Sequence, residues 1–315
     1  MGAEFVRLAA CRPNLFVIGA MKAGTTSLYR MLAAHPDVFM SPVKEPNYFA
    51  DLAFRGKASP RERFVFSEYL ASSERKLRHS APVWTIEEYE ALFRDGAASR
   101  YRGEASPSYL HSVGAPREIA AYSPDAKIIV LLRDPIERAN SHYRMDVTIG
   151  RVNVSFTEAI RRELAGQKVG SGKGYLAMSC YSEALMRWLE VLPREQIKVV
   201  SYRELFSPSG GGRDELAKFL QLDAMQFGSV KEQHNKTNKP RFGRLNYLLH
   251  GSEAKKWLRE FVPHGLKEAA KRWFYVDDPG ELVPERTRGL LTEYFEADTA
   301  AMKGLFGERL FAKKT

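Results

Sequence analysis

The sequence predicts an α/β fold in three layers, a central parallel sheet with helices on both faces. Short, mainly apolar runs alternate with helical patterns along the chain: Leu15-Phe16-Val17-Ile18, the KIIVLL run at Lys127 to Leu132, and Ile197 to Tyr202. A strand that reads as continuous apolar residues is one covered on both faces, which is the condition of strands in a parallel sheet. The runs are also punctuated as buried strands are, with Pro13 and Gly19 around the first and Arg133-Asp134-Pro135 after the second.

Taken in order, Asn14 to Gly19 is the first strand and Thr25 to Ala34 the first helix, with Leu28, Met31 and Leu32 at i, i+3 and i+4 and His35-Pro36 ending it. Tyr101 to Ala105 is a further strand. After KIIVLL a helix runs to about Val147, opened by Asp134 as N-cap, Pro135 at the first helical position and Glu137 as the third residue of a capping box. A helix over Met178 to Leu192, stopped by Pro193, leads into the strand Ile197 to Tyr202. Ser207 to Gly212 (SPSGGG) is a loop, Lys231 to Arg244 a basic loop, and helices are expected near Glu253 to Phe274 and Pro284 to Leu305. The stretch from Arg55 to Arg100 is rich in charge, helix-like in parts and without a strong strand, so it reads as an insertion over one end of the sheet. The expected organisation is one domain over residues 1–315, with 1–12 as an N-terminal extension and 55–100 as a helical insertion.

Composition narrows the function. With 315 residues, 44% of them hydrophobic and 27% charged, the chain can bury a large core. No apolar stretch approaches the roughly 18 residues of a membrane-spanning helix, and Arg7, Arg12 and Pro13 interrupt any leader-like run, so a cytoplasmic location is expected. Cys11 and Cys180 are the only cysteines and belong to no metal-ligand pattern; neither a disulfide framework nor a metal is expected. A formal charge of +10 points to an anionic ligand without choosing among nucleic acid, acidic lipid, anionic glycan and phosphorylated nucleotide.

Position chooses. Gly19-Ala20-Met21-Lys22-Ala23-Gly24-Thr25-Thr26 lies between the first strand and its helix, where backbone amides and the helix dipole converge on one spot. Glycines permit the turn, Lys22 adds a point charge, and Thr25 and Thr26 add hydroxyls. A nucleoside-triphosphate loop would instead carry Lys at position 25 and a metal-binding Asp after the next strand, where this chain has Thr25 and Arg133. The GSGKG run at Gly170 to Gly174 is a decoy, since Gln167 breaks the spacing, Gly174 replaces the hydroxyl residue and no strand precedes it. Arg133 and Ser141 supply a second basic pocket at the same sheet edge, as a nucleotide with two separated anionic groups would require.

The pair LFVIGAMKAGTTSLYRMLAAHPDVF and IIVLLRDPIERANSHYRM resembles the two co-substrate loops of the sulfotransferases that use 3′-phosphoadenosine 5′-phosphosulfate. SPVKEPNYFAD and YRGEASPSYL resemble the segments between them in the heparan-sulfate and bacterial branches, and the likeness runs on through GYLAMSCYSEALMRWLEVLPREQIKVVSYREL to cover most of residues 13–245. The resemblance implies a P-loop-type fold. It implies that Lys22, Ala23, Gly24, Thr25 and Thr26 hold the 5′-phosphosulfate and that Arg133 and Ser141 hold the 3′-phosphate, with Lys239 and Arg241, alongside Lys236 and Arg244, as candidates in a third co-substrate segment. Lys22 would meet the leaving oxygen, and Glu45 in Lys44-Glu45-Pro46 would be the base that takes the acceptor's proton. Glu104 matches a second acidic position, for which orientation of Glu45's surroundings, acceptor binding and a strand-end structural role all stay open. The heparan-sulfate branch often has a lysine at the next position, where this chain has Ala105, so a second active-site cation must come from elsewhere, Lys44 being a candidate. The cytosolic branch uses histidine as base, which keeps His111 and His142 in view.

The expected acceptor is a carbohydrate hydroxyl first and a lipid or polyketide-type hydroxyl second, with Phe49, Phe54, Phe64, Trp84 and Tyr109 as candidates to stack on it. Two rivals are weighed: a magnesium- and ATP-dependent kinase on the same scaffold, and a nucleic-acid-binding domain built on pairs such as Arg161-Arg162 and Lys255-Lys256. The sequence has no helix-turn-helix, zinc or RNP-type pattern, so no nucleic-acid partner is expected.

Overall fold

Five parallel strands stand in the order β2-β5-β1-β6-β7, where β1 is Leu15–Gly19, β2 Val38–Met40, β5 Tyr101–Ala105, β6 Lys127–Leu132 and β7 Ile197–Ser201. The computed structural model describes residues 11–55, 66–72, 77–79, 81, 83–207, 211–228, 237–250, 273–278 and 282–311. These fall into two compact units, one drawn from residues 1–133, 182–231 and 302–315, the other from 134–181 and 232–301.

The sheet belongs to the first unit. All five residues of β1 are buried, as are the last five of β6, which is why these strands are legible as unbroken apolar runs. Every parallel connection needs a crossover, and the one after β1 is the helix Thr25–Ala33, with Leu28, Met31 and Leu32 at zero exposure. From β1 the chain moves out to β2, returns through β5, and then passes to β6 and β7 on the other side. The direction of growth therefore reverses at β1, the place where sheets of this kind bind ligands at the carboxyl ends of their strands.

Asn14 sets the register on both sides of β1. Its backbone N–H donates to the Arg102 carbonyl at 2.9 Å and its carbonyl accepts from Lys127 N–H at 2.8 Å. Its side chain accepts from Arg102 N–H at 2.8 Å and donates to the Arg100 carbonyl at 3.0 Å.

The segment 55–100 contains more order than its charge suggests. The two-residue strands β3 (Val43–Lys44) and β4 (Arg78–His79) pair in parallel, placing Lys44 opposite His79. The helix Ile86–Ala91 is capped by Thr85 and sends Tyr89 fully into the core, with Leu92 and Phe93 behind it. Phe64 lies outside the described residues, as do Lys236, Lys255 and Lys256.

The second unit is organised by the helix Pro135–Ile149. Asp134 caps it as expected, its side chain accepting from Glu137 N–H at 3.0 Å, and Gly150 closes it at φ 90°. Ile136 and Ala139 pack with Phe156, Ile160, Tyr175, Leu176, Leu291 and Phe295. Arg138 is fully buried and satisfied from two sides, Nε donating to Ser179 Oγ at 2.6 Å and a terminal nitrogen to the Tyr175 carbonyl at 2.8 Å. A strand pair, β8 (Thr237–Pro240) against β9 (Tyr275–Asp278), packs on the same helix.

Two expected elements change. The helix expected over Met178 to Leu192 is a 3₁₀ turn at Ala177–Ser179 and a separate helix at Ser182–Leu189, because Tyr181 N–H donates to Asp298 Oδ2 at 3.0 Å instead of continuing a helical ladder. The stretch expected as one helix from Pro284 to Leu305 is two, Glu285–Tyr294 and Glu296–Phe306.

The Asn14 contacts make a specific prediction. Asn14→Ala removes two side-chain hydrogen bonds and leaves the Arg102 amide without its acceptor, so unfolding free energy should fall by roughly 1–3 kcal/mol. The urea midpoint should drop with an unchanged slope, since the surface exposed on unfolding is the same.

Candidate active site

The loop after β1 is built around its backbone. Ala20 N–H donates to the Leu131 carbonyl at 2.6 Å, tying the loop to β6, and Ala23 N–H closes a turn onto the Ala20 carbonyl at 3.1 Å. Lys22 sits at φ 70°, in the left-handed region that a non-glycine residue enters only where its surroundings hold it. Gly24, at φ 91°, is the N-cap of the helix Thr25–Ala33 and provides no side-chain cap. The first-turn amides of Thr25 and Thr26 therefore face the loop's concavity together with the positive end of the helix dipole, a fit for an oxyanion. Ala23 and Thr25 are buried, while Lys22 and Thr26 are half-buried at the rim.

Gly24 is required for a second reason. A Cβ there would lie 2.8 Å from the Tyr202 ring and 3.1 Å from that of Phe206. Tyr202 opens the short helix Tyr202–Phe206 directly after β7, and its ring also carries the Arg133 guanidinium at 5.2 Å. That distance is within cation–π range. One aromatic ring thus joins the anion loop of β1 to the arginine that follows β6. The strand expected over Ile197 to Tyr202 ends one residue earlier, and that shift turns Tyr202 into this contact. Ser141 is half-buried on the Pro135–Ile149 helix of the second unit; Lys239 and Arg241, exposed on and beside β8, belong to the same unit.

Glu45 stands at the same sheet edge as the loop. Its N–H donates to the carbonyl of Ala105 at 3.1 Å, and Ala105 is the register partner of Val17 in β1. The Ala105 carbonyl lies on the edge of β5 that also takes the Ser41 N–H through Gly103, away from β1, so β5 stands between the base candidate and the strand that carries the loop. Glu45 has φ 64° and Asn47 φ 53°, so the Glu45-Pro46-Asn47 corner is strained backbone on both sides of the proline. The Glu45 side chain is partly exposed, and its Oε1 accepts from Lys44 Nζ at 2.5 Å; Lys44 itself is 1% exposed. Lys44, the candidate for a second cation, is an ammonium taken out of water and paired with this carboxylate.

Behind the corner lies Glu104, wholly buried on β5. The hydroxyls of Tyr89 and Tyr109 donate to its Oε1 at 2.7 Å each, and Ser106 Oγ donates to Oε2 at 2.5 Å. Burial raises its pKa to about 7 from an ordinary carboxyl value, although the three hydroxyls and the Lys44 charge favour the anion. Burial and the Glu104 charge together push both tyrosines well above their usual range. The exposed His79, opposite Lys44, is pushed down, first by burial and then by the charges of Lys44 and Arg30.

Of the two histidines considered as bases, His142 is 1% exposed, its ring edge-on to Tyr175 at 4.9 Å and its Nε2 3.3 Å from Ser171 Oγ. That is a packed interior position. His111 is half-buried in the turn Tyr109–His111. The glycine run near residue 170 is a turn with Gly170, Gly172 and Gly174 all at positive φ, held by Asp146, whose Oδ2 accepts from Ser171 N–H at 3.0 Å. Phe49 and Tyr109 are core residues, in contact with each other at 6.1 Å, and Trp84 is exposed. Sequence reasoning missed Tyr202, His79 and the Ser106–Asn47 link; each acts through a partner distant in sequence. Among the described residues no group of three His, Cys, Asp or Glu could hold a metal ion, and no helix is long and apolar enough to cross a membrane.

The chain is similar to known proteins in sequence and in fold. The human bifunctional heparan sulfate N-deacetylase/N-sulfotransferase 3 is 29% identical over 234 residues, which is 70% of this chain and 24% of that protein. The mouse heparan sulfate glucosamine 3-O-sulfotransferase 3B1 is 27% identical over 67% of this chain and 46% of its own length. The chain thus spans less than half of these two relatives. The crystal structure of a sulfotransferase from Alicyclobacillus acidocaldarius superposes with a TM-score of 0.62 at 27% identity, covering 93% of this chain and 95% of that one. A family model described as "Sulfotransferase family" matches residues 13–226, a stretch that contains the loop after β1, Glu45, Glu104, Arg133 and Tyr202, and so the chain belongs to the sulfotransferase family.

Proposed function

We propose that the chain transfers the sulfuryl group of 3′-phosphoadenosine 5′-phosphosulfate to a carbohydrate hydroxyl, with Glu45 as the base. One observation carries the reading: the oxyanion loop of β1 and Arg133 are joined through Tyr202 at the sheet edge where Glu45 is anchored on the end of β5.

The 5′-phosphosulfate fits the loop, its oxygens accepting from the first-turn amides of Thr25 and Thr26 and from the Lys22 ammonium. Arg133 takes the 3′-phosphate, and the family resemblance names Ser141, Lys239 and Arg241 as further candidates for that anion. In the transfer, the acceptor oxygen forms a bond to sulfur as the bond from sulfur to the bridging oxygen breaks, and the hydroxyl proton passes to Glu45. With Oε1 occupied by Lys44, Oε2 is the oxygen that receives it. The departing phosphate gains negative charge at its former bridging oxygen, and Lys22 with the loop amides is aimed at that charge. A carbohydrate acceptor is supported by the relatives' names, which include heparan sulfate glucosamine 3-O-sulfotransferase 3B1 and, at 23% identity, the rat carbohydrate sulfotransferase 15. Incubating the protein with the sulfate donor and a glycan panel, and reading a sulfuryl mass gain by mass spectrometry, identifies the acceptor.

Donor binding separates this reading from a kinase. Adenosine 3′,5′-bisphosphate should bind without magnesium, and Arg133→Ala should weaken it by roughly 1.5–3 kcal/mol, the range of a charge-assisted hydrogen bond. Calorimetry that finds magnesium–ATP preferred over the bisphosphate overturns the assignment.

The base is tested separately. Glu45→Gln keeps the size of the side chain and removes its basicity, so kcat should fall roughly 10²–10⁴-fold while bisphosphate affinity holds. His111→Ala should keep most of the activity. Near-normal turnover in Glu45→Gln, or collapse in the histidine variant alone, moves the base away from Glu45.

A further inference from the structure

The Glu45 corner hangs from Glu104 by a directed chain of hydrogen bonds. Asn47 N–H donates to Ser106 Oγ at 3.1 Å, and Phe49 N–H donates to the Tyr109 hydroxyl at 3.3 Å. Asn47 Nδ2 in turn donates to the Glu45 carbonyl at 3.0 Å, while its Oδ1 accepts from Ser108 at 2.6 Å. Ser106 and Tyr109 each have one hydrogen, and both give it to Glu104.

We infer that Glu104 is a positioning residue for the transfer reaction: as an anion it fixes Ser106 and Tyr109 as donors toward itself, which turns their lone pairs toward the Asn47 and Phe49 amides and holds the strained Glu45 backbone in place. An ionised carboxylate only accepts, so both hydroxyls must point at it. A neutral carboxyl or an amide brings a donor into the shell. If that donor faces Ser106, the serine no longer gives its hydrogen to Glu104, its hydroxyl is free to rotate, and no lone pair is held toward the Asn47 N–H. Positive φ at Glu45 and Asn47 makes the corner costly to hold without such bonds.

The groups facing Glu104 are Tyr89 from the helix Ile86–Ala91, Tyr109 and Ser106 from the chain after β5, and Lys44 from β3. The Lys44 charge acts on Glu104 as well as pairing with Glu45. When Glu45 takes the proton, Lys44 loses one carboxylate partner and retains the field of the other. Burial sets the titration of Glu104 at about 7, so the shell is in its holding state above that pH and in its neutral state below it.

This inference rests on the sulfuryl-transfer reading only for its consequence in turnover, and the test keeps the two apart. Wild type, Glu104→Gln and Ser106→Ala are saturated with adenosine 3′,5′-bisphosphate, and hydrogen exchange is followed at the Asn47 and Phe49 amides above and below about pH 7, corrected for intrinsic exchange. Release of the bisphosphate from the sulfate donor gives turnover. In wild type, Asn47 should be protected above that pH and lose protection below it. In Glu104→Gln the protection should be low at both, with bisphosphate affinity unchanged and kcat down roughly 10²-fold, as for a misplaced catalytic group. Ser106→Ala should expose Asn47 at every pH while Phe49 stays protected, and it decides the matter if Glu104→Gln does not fold. Unchanged Asn47 exchange in Ser106→Ala, or wild-type exchange and pH dependence in Glu104→Gln, overturns the inference. Altered exchange in a protein whose turnover is insensitive to Glu45→Gln leaves the positioning standing and removes the base assignment instead.

Discussion

Everything at the candidate site depends on β1 being bonded along both edges. Because β5 and β6 pair with it in parallel, all three strands point their carboxyl ends the same way, and the chain leaving each one emerges at a common edge. From β1 comes the Gly19–Thr26 loop, from β6 comes Arg133, and against the end of β5 the Glu45 amide is anchored on Ala105. Slipping β5 by one residue would send Glu104 to the opposite face, since side chains alternate along a strand. Asn14, bonded to both neighbours at the entrance of β1, opposes that slip.

The chemistry at this edge is arranged by taking charge out of water. Lys44 and Glu104 are both buried, which is unfavourable for either alone and tolerable when each is surrounded by partners. Lys44 has the Glu45 carboxylate and Glu104 has three hydroxyls. The result is a polar cluster with directed bonds under a backbone corner in an unfavourable conformation, and such corners persist where the surroundings over-determine them. The loop after β1 follows the same pattern, with Lys22 at positive φ and Gly24 pressed against Tyr202.

Much of this was legible in the sequence wherever the determining contacts are local or the burial is two-sided. β1 and β6 show as apolar runs because both of their faces are covered, and the Asp134-Pro135-Glu137 start shows because a cap acts within one turn. The three-residue β2 is too short to display a period. The break at Cys180 and Tyr181 depends on Asp298, 117 positions away, and no local pattern carries it. The anion loop and Glu45 were readable as motifs, whereas Tyr202 acquires its place only because Gly24 leaves room for its ring. The role of Glu104 was open for a similar reason: a glutamate in a strand reads as solvent-facing until Tyr89, Ser106 and Tyr109 are found around it.

The central claim is that one nucleotide with two separated anionic groups lies along the carboxyl edge of β1 and β6. A crystal structure of the protein with adenosine 3′,5′-bisphosphate, grown without magnesium, tests it most directly. The 5′-phosphate is expected on the amides of Thr25 and Thr26 beside Lys22, and the 3′-phosphate on the Arg133 guanidinium. A bisphosphate bound away from the loop, or bound with its 3′-phosphate out of reach of Arg133, would contradict it.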